Sequence, residues 1–299
     1  MICSPTSQTC TAATAGLTAT AWRTVASMPQ SSAARATALT GRLYVGYGSY
    51  FASYDPGADT WTRLNPDPAA PTVSGGQGAG YEALDGKVYG IAGASSGGAL
   101  ATVSAYSPGA NSWAAVAPLL NPRYDFATGA WNGKLYVAGG TNQSEGLKPI
   151  EIFDPGANQW SAGPDMPFPT QAPMGAVIGG VFYVAGGFYT GAPTALRAYD
   201  IAAHSWSSKA ALFTPRWYAG AAALNGLLYL VGGDDDRATT AALRTVDIYD
   251  PATDSWRAGP SLAVGRTLPG VAVVNGILYA AGGFDASRRP LDSVEALGP

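Results

Sequence analysis

The sequence predicts an all-β fold, a six-bladed β-propeller in which an N-terminal strand completes the last blade. Composition gives the first indication, because 39 of the 299 residues are glycine, 22 are proline and only 12% are charged. Such a composition is typical of many short strands joined by tight turns. All-β repeat folds of this length form a single unit, so the length does not require a second domain.

A hairpin that recurs six times along the chain gives the second indication. In each copy a strand of small residues leads into a two-residue turn, and an aliphatic strand that contains a tyrosine and ends in glycine follows. The turns are Thr40-Gly41, Asp85-Gly86, Asn132-Gly133, Gly179-Gly180, Asn225-Gly226 and Asn275-Gly276. These dipeptides favour the positive φ angles of type I′ turns. Their spacing of roughly 45–50 residues predicts one propeller blade per repeat.

A recurring tryptophan marks the outer strand of each blade. After each of the first five hairpins, a third strand ends in an Asp-Pro-like turn, and a tryptophan follows: Trp61, Trp113, Trp160, Trp206 and Trp256. The sixth copy ends at VEALGP without a tryptophan, whereas Trp22 precedes the first hairpin. We therefore expect residues 20–299 to form one propeller, in which a strand near Trp22 completes blade six and removes the free sheet edge.

Residues 1–19 are rich in Ser, Thr and Ala and are predicted to be a flexible leader. Both cysteines, Cys3 and Cys10, lie in this leader. A disulfide between them would indicate an oxidising compartment, either secreted or periplasmic, but two free thiols on a disordered tail fit the sequence equally well. The leader lacks the charged and apolar regions of a signal peptide. The sequence therefore leaves the localisation open.

The glycine pair after the tyrosine-containing strand, together with the tryptophan after Tyr-Asp-Pro, resembles the kelch repeat over residues 20–299. Blades one and two depart from this pattern, because they carry GYG and IAG where the other blades end in Gly-Gly. The resemblance implies two classes of function. Kelch propellers include binding modules that recognise acidic peptides through arginine-rich faces, and they include enzymes such as the bacterial sialic acid mutarotases.

Several functions are disfavoured by the sequence. The net charge of −3 and the lack of a basic run argue against a nucleic-acid partner. The apolar stretches are interrupted by glycine pairs and are too short to span a membrane. The single histidine, His204, is predicted on the tight-turn face, and no cysteine lies in a blade, which argues against a histidine triad, a zinc site or the copper site of kelch-like oxidases. We therefore expect a monomer that uses no metal or other cofactor.

The loops that connect the second strand to the third, and one blade to the next, share one face, where function on a rigid scaffold concentrates. Arginine binds carboxylate and phosphate groups bidentately, and aromatic side chains stack on sugars. These loops therefore predict a site for an anionic small molecule, a sugar acid or an acidic peptide. The residues predicted to bind it are Arg123, Tyr124, Gln171, Tyr189, Arg216, Trp217, Tyr218, Asp234, Asp235, Arg266 and Asp285. Alternatively, the three arginines hold neighbouring loops together through backbone carbonyls.

One of these loops carries three consecutive carboxylates, Asp234 to Asp236. Oxygen ligands of this kind suit hard cations such as Ca²⁺, but the alternating spacing of a dedicated calcium loop is absent. The sequence therefore favours a solvated loop over a metal site.

Arg35 and Glu82 interrupt the small residues of the inner strands. Two charged side chains near the propeller axis require an ion pair between them or a polar channel. In the enzyme alternative, Glu82, Asp125 and Arg35 are the predicted catalytic residues of a metal-free mutarotase, epimerase or hydrolase, with the carboxyl groups acting as acid and base. Trp131, at an aliphatic position of the repeat, is predicted to be in the core.

Overall fold

The computed structural model describes residues 2–3, 10–11, 21–70, 78–188, 193–235 and 242–298. Six four-stranded antiparallel sheets account for nearly all of its secondary structure. Strand β1 (Ile2–Cys3) pairs separately with β2 (Cys10–Thr11), and Cys3 lies opposite Cys10 in the backbone register. The disulfide between these cysteines stays a prediction, and the rest of the leader is outside the described residues.

The six sheets are the blades of a propeller. In each blade the strands are given from the channel outward. Blade one contains β4 (Arg35–Leu39), β5 (Arg42–Tyr47), β6 (Tyr50–Asp55) and β7 (Thr60–Arg63). Blade two contains β8 (Gly80–Leu84), β9 (Lys87–Ser95), β10 (Gly98–Ser107) and β11 (Ser112–Val116). Blade three contains β12 (Ala127–Trp131), β13 (Lys134–Ala138), β14 (Ile150–Asp154) and β15 (Gln159–Ala162).

Blade four contains β16 (Met174–Ile178), β17 (Val181–Ala185), β18 (Leu196–Asp200) and β19 (Ser205–Lys209). Blade five contains β20 (Gly220–Leu224), β21 (Leu227–Val231), β22 (Val246–Asp250) and β23 (Ser255–Ala258). Blade six contains β24 (Gly270–Val274), β25 (Ile277–Ala281), β26 (Val294–Leu297) and β3 (Arg23–Val25).

The N-terminal strand β3 closes the ring, as the sequence predicts. It pairs antiparallel with β26, so that Val25 lies opposite Val294 and Arg23 opposite Ala296. The fourth strand of blade six therefore comes from the opposite end of the chain, and the ring has no free edge at this junction.

The recurring tryptophan connects each blade to a linker of the preceding blade. Every one of the six indole N–H groups donates a hydrogen bond of 2.8 or 2.9 Å to a backbone carbonyl. The pairs are Trp22 to Pro260, Trp61 to Ala26, Trp113 to Asn65, Trp160 to Ala117, Trp206 to Pro164 and Trp256 to Ala210. Because Trp22 completes this set, the sixth junction is equivalent to the other five.

Tight turns with left-handed backbone occupy the face opposite the variable loops. Asn132 and Gly133 have φ angles of 46° and 73°, as a type I′ turn requires. His204 occupies a second kind of turn, ahead of Trp206, with φ of 51° and its Nδ1 3.0 Å from the Tyr199 hydroxyl. The histidine thus lies on the predicted face and serves as a turn residue.

The core lies between neighbouring blades, which bury the second and third strands on both sides. Strands such as β13 and β17 are therefore continuous apolar runs. Trp131 is an exception, because 41% of its surface is exposed at the end of β12, beside the turn at Gly180. The prediction that Trp131 belongs to the core is wrong, although the residues at the same position in blades five and six, Leu224 and Val274, are buried.

The described part of the chain contains no helix with the length and apolarity that crossing a bilayer requires.

Candidate functional site

Arg123, Arg216 and Arg266 are structural residues of blades three, five and six. Their exposed fractions are 0%, 1% and 0%, so a ligand in the loops does not reach them. Each guanidinium pairs with a carboxylate on the third strand of its own blade: Arg123 with Glu151, Arg216 with Asp247 at 2.8 Å, and Arg266 with Glu295 at 2.6 Å. The prediction that these arginines bind the ligand is wrong.

The alternative interpretation, in which these arginines hold loops through backbone carbonyls, agrees with the geometry. The Nη1 group of Arg123 donates to the carbonyls of Gly139 and Pro149, and that of Arg266 donates to those of Gly282 and Ser293. Burial lowers the pKa of each of the three guanidinium groups, and the paired carboxylate opposes the decrease. Below, these three pairs are called the frame pairs.

A ring of left-handed residues surrounds the channel on the variable-loop face. It consists of Gly78, Asp125, Ala172, Tyr218 and Leu268, with φ angles between 49° and 60°. Backbone hydrogen bonds link several of them from blade to blade, including Asp125 N–H to the Gly78 carbonyl at 3.0 Å and Leu268 N–H to the Tyr218 carbonyl at 2.7 Å. Non-glycine residues rarely adopt this conformation, and it often marks functional sites.

Two ring residues, Asp125 and Tyr218, form a polar cluster with Arg35 at the mouth of the channel. Arg35 Nη2 lies 3.4 Å from Asp125 Oδ1, and the Tyr218 hydroxyl donates a hydrogen bond to the same carboxyl group. Arg35 is 22% exposed and Asp125 only 5%. Burial raises the pKa of Asp125, whereas Arg35 and Tyr218 lower it. The cluster lines a cavity of about 80 Å³.

Glu82 lies further inside the channel and does not pair with Arg35. The described ion pair of Arg35 is with Asp125, so of the two predicted alternatives, an Arg35–Glu82 ion pair or a polar channel, the ion pair is wrong. Arg35 begins its inner strand, whereas Glu82 is the third residue of β8 and therefore lies deeper along the channel. The left-handed turn at Asp125 brings a different carboxylate to Arg35.

The part of the channel around Glu82 is a cavity of about 270 Å³. Apart from Glu82, small and apolar residues and the hydroxyls of Thr37 and Thr128 line it. Burial raises the pKa of Glu82 to about 7, although hydrogen bonds from Thr128 and the Ala83 N–H oppose the shift. This cavity shares Ala36, Thr128, Gly175, Ala221 and Val271 with the cavity at the mouth, so the two are continuous.

Aromatic side chains lie on the same face as the mouth. The rings of Trp217 and Phe188 meet edge to face with centroids 5.8 Å apart, and Phe188 is 51% exposed. Tyr47 feels the charges of both Arg35 and Asp125, and its pKa is raised mainly by burial. Sequence reasoning missed Phe188 and Tyr47, although Tyr47 lies in the GYG that departs from the repeat.

The remaining predicted residues are spread over the loops. Tyr124 and Gln171 are half-buried and follow Arg123 and Thr170 in the variable loops. Asp285 accepts the N–H groups of Ser287 and Arg289 and so shapes its own loop.

The predicted acidic loop is described only in part. Asp234 pairs through its backbone with Trp217, and Asp235 is half-buried beside it. Asp236 and Tyr189 lie outside the described residues. Within the described ranges, no three His, Cys, Asp or Glu side chains come together in a group that would hold a metal ion.

The repeat motif agrees with this architecture. A model of the kelch motif matches residues 122–167, 215–263 and 265–297, the three blades that contain the frame pairs. The chain is a six-bladed β-propeller that carries the kelch motif in these three blades.

One solved structure, titled "Structure of YjhT", superposes with a TM-score of 0.78 and covers 91% of this chain and 96% of its own. The two sequences are 20% identical, so the likeness concerns the fold. Comparison with curated proteins gives no match.

Proposed function

We propose that this propeller binds a sugar acid, a small ligand with several hydroxyl groups and one carboxylate, at the mouth of its central channel. The observation that carries the proposal is the state of Arg35. The described hydrogen bonds of its guanidinium, to the Ala34 carbonyl and to Asp125, are both 3.4 Å long. Arginine has five N–H donors, so Arg35 keeps donors for a ligand carboxylate, unlike the buried frame arginines.

The surrounding groups complement the rest of such a ligand. The Asp125 carboxylate accepts hydrogen bonds from sugar hydroxyls, and the Tyr218 hydroxyl can donate or accept. Trp217 and Phe188 offer ring faces and edges for the apolar side of a pyranose. Because the left-handed backbone and the hydrogen bonds across blades fix Asp125 and Tyr218 in place, little ordering is needed on binding.

Calorimetric titration tests this proposal with glucuronate, galacturonate and N-acetylneuraminate, beside neutral glucose and an acidic peptide. We expect saturable binding of a sugar acid that falls at least about 10-fold in Arg35→Ala, equivalent to about 1.4 kcal/mol. Arg42→Ala is the matched control, because Arg42 forms an exposed pair with Asp55 at the tight-turn end. Equal binding by Arg35→Ala, or a preference for glucose, would refute the proposal, and a response to the peptide alone would favour a protein partner.

A second candidate function, acid–base catalysis on the same ligand, is favoured by Glu82. A carboxyl group with a pKa of about 7 in the lining of the channel suits proton transfer near neutral pH. In an anomer interconversion, one carboxylate takes the proton of the anomeric hydroxyl while a carboxylic acid protonates the ring oxygen, and the ring C–O bond breaks. Reclosure on the other face returns both protons, so the reaction needs no further reactant.

Exchange between the anomers of the bound sugar acid, measured by NMR, tests the catalytic candidate. We expect Glu82→Gln to slow the enzyme-dependent exchange by about 10²-fold or more while binding persists. An unchanged exchange rate in Glu82→Gln would exclude Glu82 as the acid or base and leave the binding function intact.

A further inference from the structure

Blade four reverses the frame pair of blades three, five and six. Where those blades have arginine in the loop, blade four has Thr170, and where they have a carboxylate on the third strand, it has Arg197. The Thr170 hydroxyl donates to the Gly186 carbonyl at 3.2 Å. The equivalent carbonyl in blade three, that of Gly139, accepts from Arg123. Thr170 therefore replaces one function of the frame arginine, and the carboxylate has no replacement.

The guanidinium of Arg197 is buried, and no counter-ion for it is found among the described residues. Arg197 is 2% exposed, and within the described ranges its Nε, Nη1 and Nη2 atoms have no hydrogen-bond partner. Its neighbours across the sheet are Val184 and Ser208, neither of which carries a charge. Burial lowers the pKa of Arg197, and no opposing interaction compensates. A buried charge without partners is rare and unfavourable, and it indicates that the guanidinium needs an anionic partner.

The ring of Phe168 covers this guanidinium on the solvent side. Arg197 Cζ lies 5.8 Å from the ring centroid, and 47% of the Phe168 surface is exposed. A half-exposed aromatic ring is therefore the layer between solvent and the buried cation.

The loop before blade four also lacks the geometry that suits a built-in carboxylate. In blade three, Glu151 accepts hydrogen bonds from the N–H groups of Leu120 and Asn121. The equivalent positions in blade four are Pro167 and Phe168, and proline has no N–H group. Compared with blade three, blade four therefore lacks the carboxylate and one of the two N–H groups that would bind it, and it has the cation Arg197 in the place of the carboxylate.

We infer that blade four binds a small free anion, a carboxylate or a halide, on Arg197 when Phe168 moves outward. The planar guanidinium donates two parallel N–H groups to a carboxylate, and its positive charge attracts a halide. The frame pairs of blades three and six show that this level of the propeller accommodates an anionic group beside a guanidinium. The site is separate from the channel mouth, and its occupancy would stabilise the folded chain.

Thermal unfolding at constant ionic strength tests this inference, with sodium acetate or sodium chloride replacing a bulky sulfonate that cannot enter behind Phe168. All measurements use an Arg35→Ala background, so that binding at the channel mouth does not contribute. We expect a saturable rise in Tm of roughly 2 °C with acetate, chloride or both, and no rise in Arg197→Met. The salt that acts at the lower concentration identifies the preferred anion.

The variant Thr170→Arg with Arg197→Glu is the second control, because it rebuilds the frame pair of blades three and six within blade four. It should unfold at a Tm that does not depend on either anion. An equal anion-dependent rise in Arg197→Met or in the rebuilt variant, or no rise in the parent, overturns the inference.

Discussion

Arg123 and Arg35 are both arginines on the same face of the propeller, and each contacts a carboxylate and a backbone carbonyl, yet they differ in burial and in the number and length of their hydrogen bonds. Arg123 is 0% exposed and contacts Glu151 together with the carbonyls of Gly139 and Pro149. Arg35 is 22% exposed, and its single described ion pair is 3.4 Å long. An arginine whose N–H donors are occupied by the protein stabilises the fold. An arginine at the channel mouth that keeps free N–H donors is available to a ligand.

The comparison extends to the carboxylates. Glu151 and Glu295 accept hydrogen bonds from backbone N–H groups as well as from arginine, so their charges are compensated several times. Glu82 has one threonine and one backbone N–H, and its pKa rises to about 7. The charges of the frame pairs are therefore fixed by their partners. The channel, in contrast, contains groups whose charge responds to pH and to ligands.

The largest expected loss of stability is that of a variant with a broken frame pair. Arg123→Ala leaves Glu151 buried without its partner, and we expect a loss of about 3–5 kcal/mol in the free energy of unfolding. Urea unfolding followed by tryptophan fluorescence measures this loss. Arg42→Ala, at an exposed pair, should cost less than about 1 kcal/mol. Similar losses in the two variants would contradict the distinction between frame and surface.

The pH dependence of stability should report Glu82. Its folded pKa of about 7 exceeds the ordinary value of 4.5, so the folded state binds more protons between these two values. Stability should therefore fall as the pH rises from about 4.5 to about 7, by up to about 3 kcal/mol, and Glu82→Gln should remove this part of the slope. Parallel pH profiles for the two proteins in urea unfolding would show that Glu82 is solvated in the folded state.

Arg35→Ala should separate stability from binding. The pair with Asp125 is longer and more exposed than a frame pair, so we expect a loss of about 1–2 kcal/mol in unfolding free energy. Calorimetry on the same sample should show the loss of sugar-acid binding described above. A destabilisation as large as that of Arg123→Ala would instead place Arg35 in the frame.

The smallest effect is expected from Tyr218→Phe, which removes one hydrogen bond to Asp125. Stability should fall by about 1 kcal/mol or less. The pKa of Asp125 should rise further, because the Tyr218 hydroxyl lowers it in the parent. An NMR titration of the Asp125 carboxyl carbon checks this direction, and an unchanged or lower pKa would argue against the hydrogen bond.

The fold could be predicted because its determinants are local and repeated. Turn dipeptides such as Asn132-Gly133 encode their own conformation, and a missing tryptophan at one end matches a surplus Trp22 at the other. The roles of the arginines could not be predicted in this way. Whether Arg123 faces solvent depends on Glu151, which lies two strands further along the chain. The signal for this pairing is that an acidic residue recurs at the same third-strand position, as Asp247 and Glu295, in the other two blades that carry the arginine.

The channel residues fall between these cases. Arg35 and Glu82 were identified because they interrupt a rule of small residues, and the structure places both along the channel. An ion pair between them is one of the two alternatives that the sequence leaves open. The structure pairs Arg35 with Asp125 instead, because the left-handed turn that brings Asp125 to Arg35 is a property of the assembled ring. The prediction that Trp131 is buried is wrong for a related reason, since an equivalent position in a repeat does not fix the burial of a side chain at the end of a strand.

The closure of blade six has a consequence for synthesis on the ribosome. Strand β3 emerges before any complete blade, whereas β26, which pairs Ala296 with Arg23, emerges after all the others. Five blades can therefore assemble in order while β3 waits without its partner, and neighbouring chains can compete for the open edge during that interval. A pause or truncation before Val294 would leave an almost finished ring that still exposes both of its joining surfaces.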